Sequence, residues 1–400
     1  MWRRWGDYLY ALTVLVVFGA EAVALVALSI AFFARLLGLM PYTRLLTILT
    51  WVVVLTCVSL AVVMQHVLVY YAASAWHERS RKEKAAAWTD LLVRWVFDRT
   101  TVLPAKLPRE GGEALLDLRE TIKGEDGLAL GELIERFGIG ARLVKRARSR
   151  GLGTKLHAIE GLAKARLPSA LDTAFGLLAD PSPVVRYMAT RVIARTLASL
   201  LPGPERDRDM ERFVEVLRTT DLPSGVVEEA LLLLDDAADP VVRALLTEAE
   251  TRPKVARAAL DAAGRLDLED LAELVARFVE HEDPELRAAA LQCVPKLHAT
   301  SPRLAAAITR ASEEPIEYVR VQATRALTSV DPRRAMPPLW DRLHDASWWV
   351  RRAAAESLRA LGPLGVAELH RAEEYHPDRY ARQMAHHVLS EIEPALAEAP

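Results

Sequence analysis

The stretch Asp345 to Gly362, DASWWVRRAAAESLRALG, is the clearest copy of a unit that returns through the C-terminal half of the chain. A turn residue, Asp345, precedes a segment whose apolar residues Trp349, Val350, Ala353, Ala354 and Leu358 fall at helical spacing, and Gly362-Pro363 stops it. The same core returns as Val319-Arg320 with Ala323, Leu286-Arg287 with Ala290, and Val185-Arg186 with Ala189. Looser copies start at Val255, Val227, Leu156 and Tyr380. Measured on the first apolar residue of each copy, the steps are 29, 42, 28, 31, 33, 31 and 30 residues. A unit this short, with two helical segments, buries its apolar face only by stacking on its neighbours, so the spacing predicts an α-solenoid. The one long step holds Pro202-Gly203-Pro204-Glu205-Arg206-Asp207-Arg208-Asp209, whose Pro, Gly and charge content predicts a long loop.

The Ala four residues after each first apolar position has a packing reason, because stacked helices approach closely only over short side chains. Asp180, Glu314 and Asp345 stand six residues before Arg186, Arg320 and Arg351. That spacing suits carboxylate–guanidinium pairs within or between turns, so Arg186, Arg287, Arg320 and Arg351 are expected to be structural. As they stand here, the segments DPSPVVRYMA, EDPELRAAA, EEPIEYVRVQA and DASWWVRRAAA resemble the HEAT repeat family over roughly residues 150–395. The repeat length is similar to that of the shorter bacterial members. The resemblance implies an all-α, right-handed solenoid of about seven to eight two-helix repeats. It leaves function open, since the family includes scaffolds, adaptors and a few enzymes such as bilin lyases and alkylpurine DNA glycosylases.

The front of the chain is different. From Tyr8 to Phe33 the only charged residue is Glu21, and a second run, Leu45 to Tyr71, carries no charge beyond that of His66 when protonated. Each exceeds the roughly 20 residues that span a bilayer as a helix. A cleaved signal peptide is excluded by length, its apolar region being about 7 to 15 residues. The expected organisation is a transmembrane helical hairpin over 1–75 (spans at about 8–33 and 45–71), a juxtamembrane amphipathic helix and linker over 76–127, and the solenoid over 128–396. Arg3, Arg4, Arg79, Arg81, Lys82 and Lys84 lie on the terminal side of the spans, against Arg35 and Arg44 in the loop. This asymmetry puts both termini and the repeats in the cytoplasm of a bacterial inner membrane. Cys57 lies in a span and Cys293 in a repeat, so no disulfide framework is expected.

Between Trp76 and Arg99 the residues Trp88, Leu91, Leu92, Trp95 and Val96 share one helical face behind Arg79, Arg81, Lys82 and Lys84. An interfacial helix and a plain continuation of the second span fit this pattern equally. Residues 142–150, RLVKRARSR, carry five positive charges, and Arg142 and Arg146 have the R-x-x-x-R spacing of cyclic-dinucleotide receptors without the D-x-S-x-x-G partner motif. A solvated helix face is the simpler reading. Gly151-Leu152-Gly153-Thr154-Lys155 lacks the order and the preceding strand of a phosphate loop, so Thr154 reads as a helix N-cap. Near the C-terminus, His370 and Glu374 form an i, i+4 pair with His376, His386 and His387 nearby. Surface histidines are expected there in preference to a metal site. Of the adjacent tryptophans, Trp348 is expected to face outward as a partner contact.

Beyond residue 99 the chain holds 41 basic against 47 acidic residues, which argues against binding a phosphate backbone and so against a glycosylase. The reading with most support is a membrane-anchored, non-enzymatic scaffold without cofactor that binds another membrane protein. By resemblance only, it would be an accessory to an envelope polysaccharide system built round a glycosyltransferase. The alternatives are a nucleotide-sensing regulator using 142–155 or a HEAT-like enzyme. Glu21 is costly in a bilayer and calls for a polar partner, on another protein or on a second copy joined through the hairpin. Ala20, Ala24, Ala27 and Ala31 give the same span a small-xxx-small face.

Overall fold

The computed structural model describes residues 2–39, 41–247, 252–297 and 301–391, so the expected end of the repeats at 396 lies outside the described residues. All regular structure among the described residues is helical. The chain forms two compact units that meet between Ala114 and Leu115.

The first unit is built on α1 (Trp2–Leu36) and α2 (Tyr42–Phe97), which pack on one another. Gly38 turns the chain between them with φ +72°, a conformation open to glycine without strain. The stretches Leu15–Leu36 and Tyr42–Ala73, 22 and 32 residues, are long and apolar enough to cross a membrane. On α1, Val17, Ala20, Glu21, Ala24 and Leu28 are half-buried and Ala31 is buried, at the spacing of one helical face. On α2 the covered positions include Leu45, Ile48, Val52, Val63, His66, Val67 and Tyr70, with Ser59 buried. Outside this seam Phe18, Val23, Leu25, Phe33, Trp51 and Leu60 are all at least 60% exposed. α2 then runs on without a break through the basic segment. Its Leu92 and Val96 are buried and Trp88 lies against Gly111, where an added Cβ would come within 3.0 Å of the indole. Trp88 is thus covered by the chain that follows.

The unit boundary falls in α3 (Arg109–Thr121), which leads into α4 (Gly124–Arg136), α5 (Ile139–Ala147) and α6 (Leu152–Ala165). There follow α7 (Leu171–Leu177), α8 (Pro183–Ser199), α9 (Pro204–Thr219), α10 (Ser224–Leu233), α11 (Ala238–Thr247) and α12 (Pro253–Arg265). The array continues as α13 (Ala272–Val279), α14 (Pro284–Cys293), α15 (Pro302–Ala311), α16 (Glu317–Ala326), α17 (Pro332–Arg342), α18 (Trp348–Ala360), α19 (Pro363–Tyr375) and α20 (Arg379–Ser390). The even-numbered helices from α6 to α20 stack each on the next in one continuous row, and each except α10, which packs on α11, also packs on the odd-numbered helix before it. This is the stacked two-helix solenoid the repeat predicts. Ala189, Ala290, Ala323 and Ala354 are fully buried in that row, where a longer side chain would push the stack apart. Proline at the first helical turn starts several helices, because its fixed φ suits that position and its missing N–H is not needed there.

Three local expectations are corrected. The predicted loop at 202–209 is mostly helix, for α9 begins at Pro204. Glu205 and Asp207 favour its N-terminal dipole, and Met210, Phe213, Val214 and Leu217 bury one face. The long step is absorbed by two long helices, of 17 and 16 residues. Thr154 is not an N-cap; it lies inside α6, which starts from Gly151. In the last repeat Tyr380 is 51% exposed while Ala381 is fully buried, so the register there begins at Ala381.

Candidate functional site

The side chains that tie the repeats together form a ladder along the turns that enter the even-numbered helices. In each clear copy one guanidinium nitrogen of the arginine donates back to the two carbonyls that open its own turn. Arg287 Nη1 reaches His281 O and Glu282 O, both at 2.8 Å, and Arg320 Nη1 reaches Glu314 O and Pro315 O at 2.8 and 2.9 Å. Arg351 repeats the pattern on Asp345 O and Ala346 O at 2.8 and 3.1 Å. The remaining nitrogens point to the next repeat. Arg287 pairs with Glu314, and Arg320 places Nε and Nη2 each 3.1 Å from the Asp345 carboxylate. Both partners are shielded, the Arg320 and Asp345 side chains being 15% and 7% exposed.

The ladder starts earlier than the sequence spacing suggests. Lys155 occupies the arginine place in α6 and binds Asp180 at 2.5 Å, so the first copy is in register from Thr154, not Leu156. The hydrogen bond from Lys155, joined by the Ser182 N–H, holds the Asp180 carboxyl below its usual range. Arg186 donates to Asp180 O and Pro181 O, and has Asp221 nearby at charge–charge range. The two aspartates have a second task in their own turns: Asp180 accepts the Ser182 N–H at 2.9 Å and Asp345 the Ser347 N–H at 2.8 Å.

Two histidines replace the carboxylate. His281 precedes Arg287 by six residues and accepts the Asp283 N–H on Nδ1 at 3.0 Å, and His376 does the same before Arg382 for the Asp378 N–H at 3.1 Å. At His281 the exchange leaves no cation behind, because the matching position in α12 is Ala256. At His376 it does, because the repeat before it carries Arg351. His376 is 2% exposed, its ring 4.9 Å from Trp340 and 5.7 Å from His344 between centroids. Burial, then the neighbouring His344, lowers its pKa, keeping it the neutral acceptor that the turn needs. Arg351 therefore has no carboxylate within ion-pair distance among the described residues. Its guanidinium lies 5.4 Å from the Tyr380 ring, and its Nε is buried without a partner.

Beside Arg351 is a cleft of about 290 Å³ between α18 and α20, lined by Trp348, Arg351, Tyr380, Gln383, Met384 and His387. Trp348, the expected outward residue, is 42% exposed. Trp349, expected in the core, is 61% exposed, since the buried face of α18 begins one residue later at Val350. Tyr318, Trp349 and Tyr380 occupy the same place in three successive repeats and are all exposed, which gives this edge an aromatic row.

The other expected residues do not gather here. Arg142 and Arg146 are exposed on α5, Arg142 donating to Phe137 O at 3.0 Å. Glu21 is half-buried in the first unit. Among the histidines, Glu373 takes the role expected of Glu374, lying 2.7 Å from His386 Nδ1 and 3.7 Å from His370 Nδ1. Among the described residues no three His, Cys, Asp or Glu side chains converge as a metal site would require. Burial pushes the Cys293 thiol up to about 12, so it is inert at neutral pH. Sequence reading missed Arg119, which is 2% exposed, donates to Ile122 O at 3.3 Å and has its pKa lowered to about 10, chiefly by burial.

Residues 301–390, which contain this cleft, match the sequence model of HEAT repeats. No curated protein matches the chain in sequence. Among solved structures it is similar to an engineered protein, at 18% identity and a TM-score of 0.34, over 77% of this chain and 88% of that one. It is also similar to Kap95p, crystallised in a nuclear-import context with RanGDP, at 16% identity and a TM-score of 0.44, over 70% of this chain and 44% of Kap95p. Human deoxyhypusine hydroxylase is matched at 17% identity and a TM-score of 0.27, over 68% of this chain and 99% of that one.

Proposed function

We propose that this chain, which carries HEAT repeats at residues 301–390, is a membrane-anchored scaffold whose solenoid holds a protein partner on the cytoplasmic side of a bacterial inner membrane. One observation carries the reading: two helices long enough to cross a bilayer turn their apolar side chains outward, while the repeat helices of the same chain turn theirs inward. In water the exposed apolar belt would cost about 25 cal/mol per Å². In a bilayer it costs nothing, which supports a two-span hairpin as the anchor. Stacked repeats with an exposed aromatic edge support partner binding, because aromatic side chains dominate the energy of protein contacts. The resemblance adds the finer proposal that the partner belongs to an envelope polysaccharide system built round a membrane glycosyltransferase.

The topology is tested with reporters. A phosphatase or fluorescent-protein fusion at Pro400 reports the cytoplasm, and one inserted at Gly38 reports the outside, as the excess of Lys and Arg on the terminal side requires. Phosphatase activity at Pro400 would overturn it. Within the hairpin we assign Glu21 to assembly. It is half-buried, on the same helical face as Val17, Ala20 and Ala24. Removing a charge that costs about 2.5 to 3.5 kcal/mol in a bilayer leaves Glu21→Leu inserted normally but without its detergent-stable partner, whether another protein or a second copy. Unchanged co-purification with Glu21→Leu confines Glu21 to its own hairpin.

A further inference from the structure

The cleft between α18 and α20 is a place where the repeat ladder has been left open. In the two preceding copies the arginine meets a carboxylate of the next repeat, through Nη2 of Arg287 on Glu314 and through Nε and Nη2 of Arg320 on Asp345. For Arg351 the sequence supplies His376 at that position, and its ring is turned away into Trp340 and His344. The Arg351 Nε is shut off from water without a partner, and no carboxylate among the described residues lies within ion-pair distance of the guanidinium. Its Nη1 still holds the two turn carbonyls, so its position is fixed without a ligand.

The surroundings add shape and sign. Trp348 and Tyr380 wall the cleft, and Gln383 and His387 offer further donors from α20. Arg379 lies over Tyr380 at 4.9 Å, and Arg352 lies 5.5 Å from Trp348. Carboxylates on and beside α18 and α20 are engaged elsewhere. Glu356 holds Arg352 at 2.7 Å, Asp378 caps α20, and Glu391 lies within 4 Å of Arg352, Arg359 and His387. The repeats thus show what chemistry fits these nitrogens, and here none of the described residues supplies it.

We propose that this cleft receives the carboxylate of an acidic side chain from a partner protein, bound by Arg351 between the rings of Trp348 and Tyr380. The proposal deepens the scaffold reading and rests on it: it names the docking site and the partner's chemistry. A planar carboxylate accepts two parallel guanidinium N–H bonds, as Asp345 does from Arg320, and the two rings cover the apolar part of the residue that carries it. Arg351 then plays toward the partner the part that Arg320 plays toward the next repeat.

The test uses the full-length protein in nanodiscs of zwitterionic phosphatidylcholine, with fluorescence anisotropy as the readout. The probe is a fluorescein-labelled peptide copying Ser312–Tyr318, SEEPIEY, which contains the ladder carboxylate Glu314. The control peptide has each Glu replaced by Gln. Loss of a shielded charge-assisted pair is worth about tenfold or more in affinity, so the Gln peptide and Arg351→Gln each bind at least about tenfold more weakly. His376→Asp does the same for a different reason, since it restores the ladder and fills the guanidinium from within. This variant also answers the concern that Arg351→Gln merely unfolds the site, because it should melt no lower than the parent. Absence of probe binding, equal binding of the Gln peptide, or unchanged binding by His376→Asp overturns the proposal. So does displacement of the probe by inorganic phosphate at the same concentration as acetate leaves it in place, which would make the site one for phosphate. Since neither membrane orientation nor the native partner enters the assay, its failure is separable from failure of the topology and co-purification tests.

Discussion

Asp345→Ala tests the ladder at its most shielded rung. The carboxylate accepts Arg320 Nε and Nη2 at 3.1 Å each and the Ser347 N–H at 2.8 Å, with Arg342 Nη1 at 3.7 Å. Its removal leaves Arg320 with two backbone carbonyls and no counter-charge, and opens the turn that starts α18. Stripping one partner from a fully buried pair costs about 3 to 5 kcal/mol. Here the guanidinium keeps some contact with water, so about 2 to 3 kcal/mol is expected, a factor of roughly 30 to 150 in a local opening equilibrium. Because each repeat touches only its neighbours, the loss should be local. Hydrogen–deuterium exchange on the full chain in detergent reads it directly. Amides of α16, α18 and α20 should exchange faster by about that factor, while α8 and α10 remain as in the parent. Asp90→Ala, which removes an i, i+4 pair with Arg94 whose side chains are 62% and 70% exposed, should move nothing by more than about 0.5 kcal/mol. Loss of protection spread evenly from α8 to α20, or none at all, would refute the nearest-neighbour ladder.

A Cβ at Gly365 would lie 1.8 Å from the Leu358 carbonyl oxygen, so Gly365→Ala must shift backbone and should lower the melting temperature, whereas Gly176→Ala, with no atom within 4 Å, should raise stability by about 0.5 to 1 kcal/mol; equal effects would show that the α18–α19 corner is looser than it looks. His376 gives the C-terminal repeats a pH dependence. Its folded pKa is lowered, so its contribution is present above the ordinary histidine value near 6.5 and is lost as pH falls through the folded value, with His344 and Asp378 the titrating groups that face it. Melting followed from pH 7.5 to 5 should show that loss in the parent and a smaller one in His376→Asp, and parallel curves would exclude His376 as its source.

Much of the fold was legible because a solenoid is written locally. The buried alanines at 189, 290, 323 and 354 and the prolines that start helices are each read within one unit, and the steps between units do the rest. The errors came where local composition had two meanings. Residues 204–209 look like a charged loop, yet with proline first and Met210, Phe213, Val214 and Leu217 following at helical spacing they form an ordinary helix. Trp349 looks like core because it is large and apolar, but the small, close-packed row takes Val350 and leaves the indole outside.

The cleft was less legible for a different reason. Its key feature is a mismatch between two positions 25 residues apart, Arg351 and His376, and neither is unusual by itself. His376 resembled its neighbours His370, His386 and His387, all expected as surface histidines, until burial and the turn geometry set it apart as a stand-in for aspartate. His281 makes the same substitution and leaves no cation behind, because the residue 25 positions before it is Ala256, where the residue 25 positions before His376 is Arg351. The meaning of either histidine therefore depends on the residue one repeat earlier. In a stacked array, an exchange that keeps its own turn intact can still free a cation in the turn before, and so turn an internal tie into a group that faces outward without disturbing the fold.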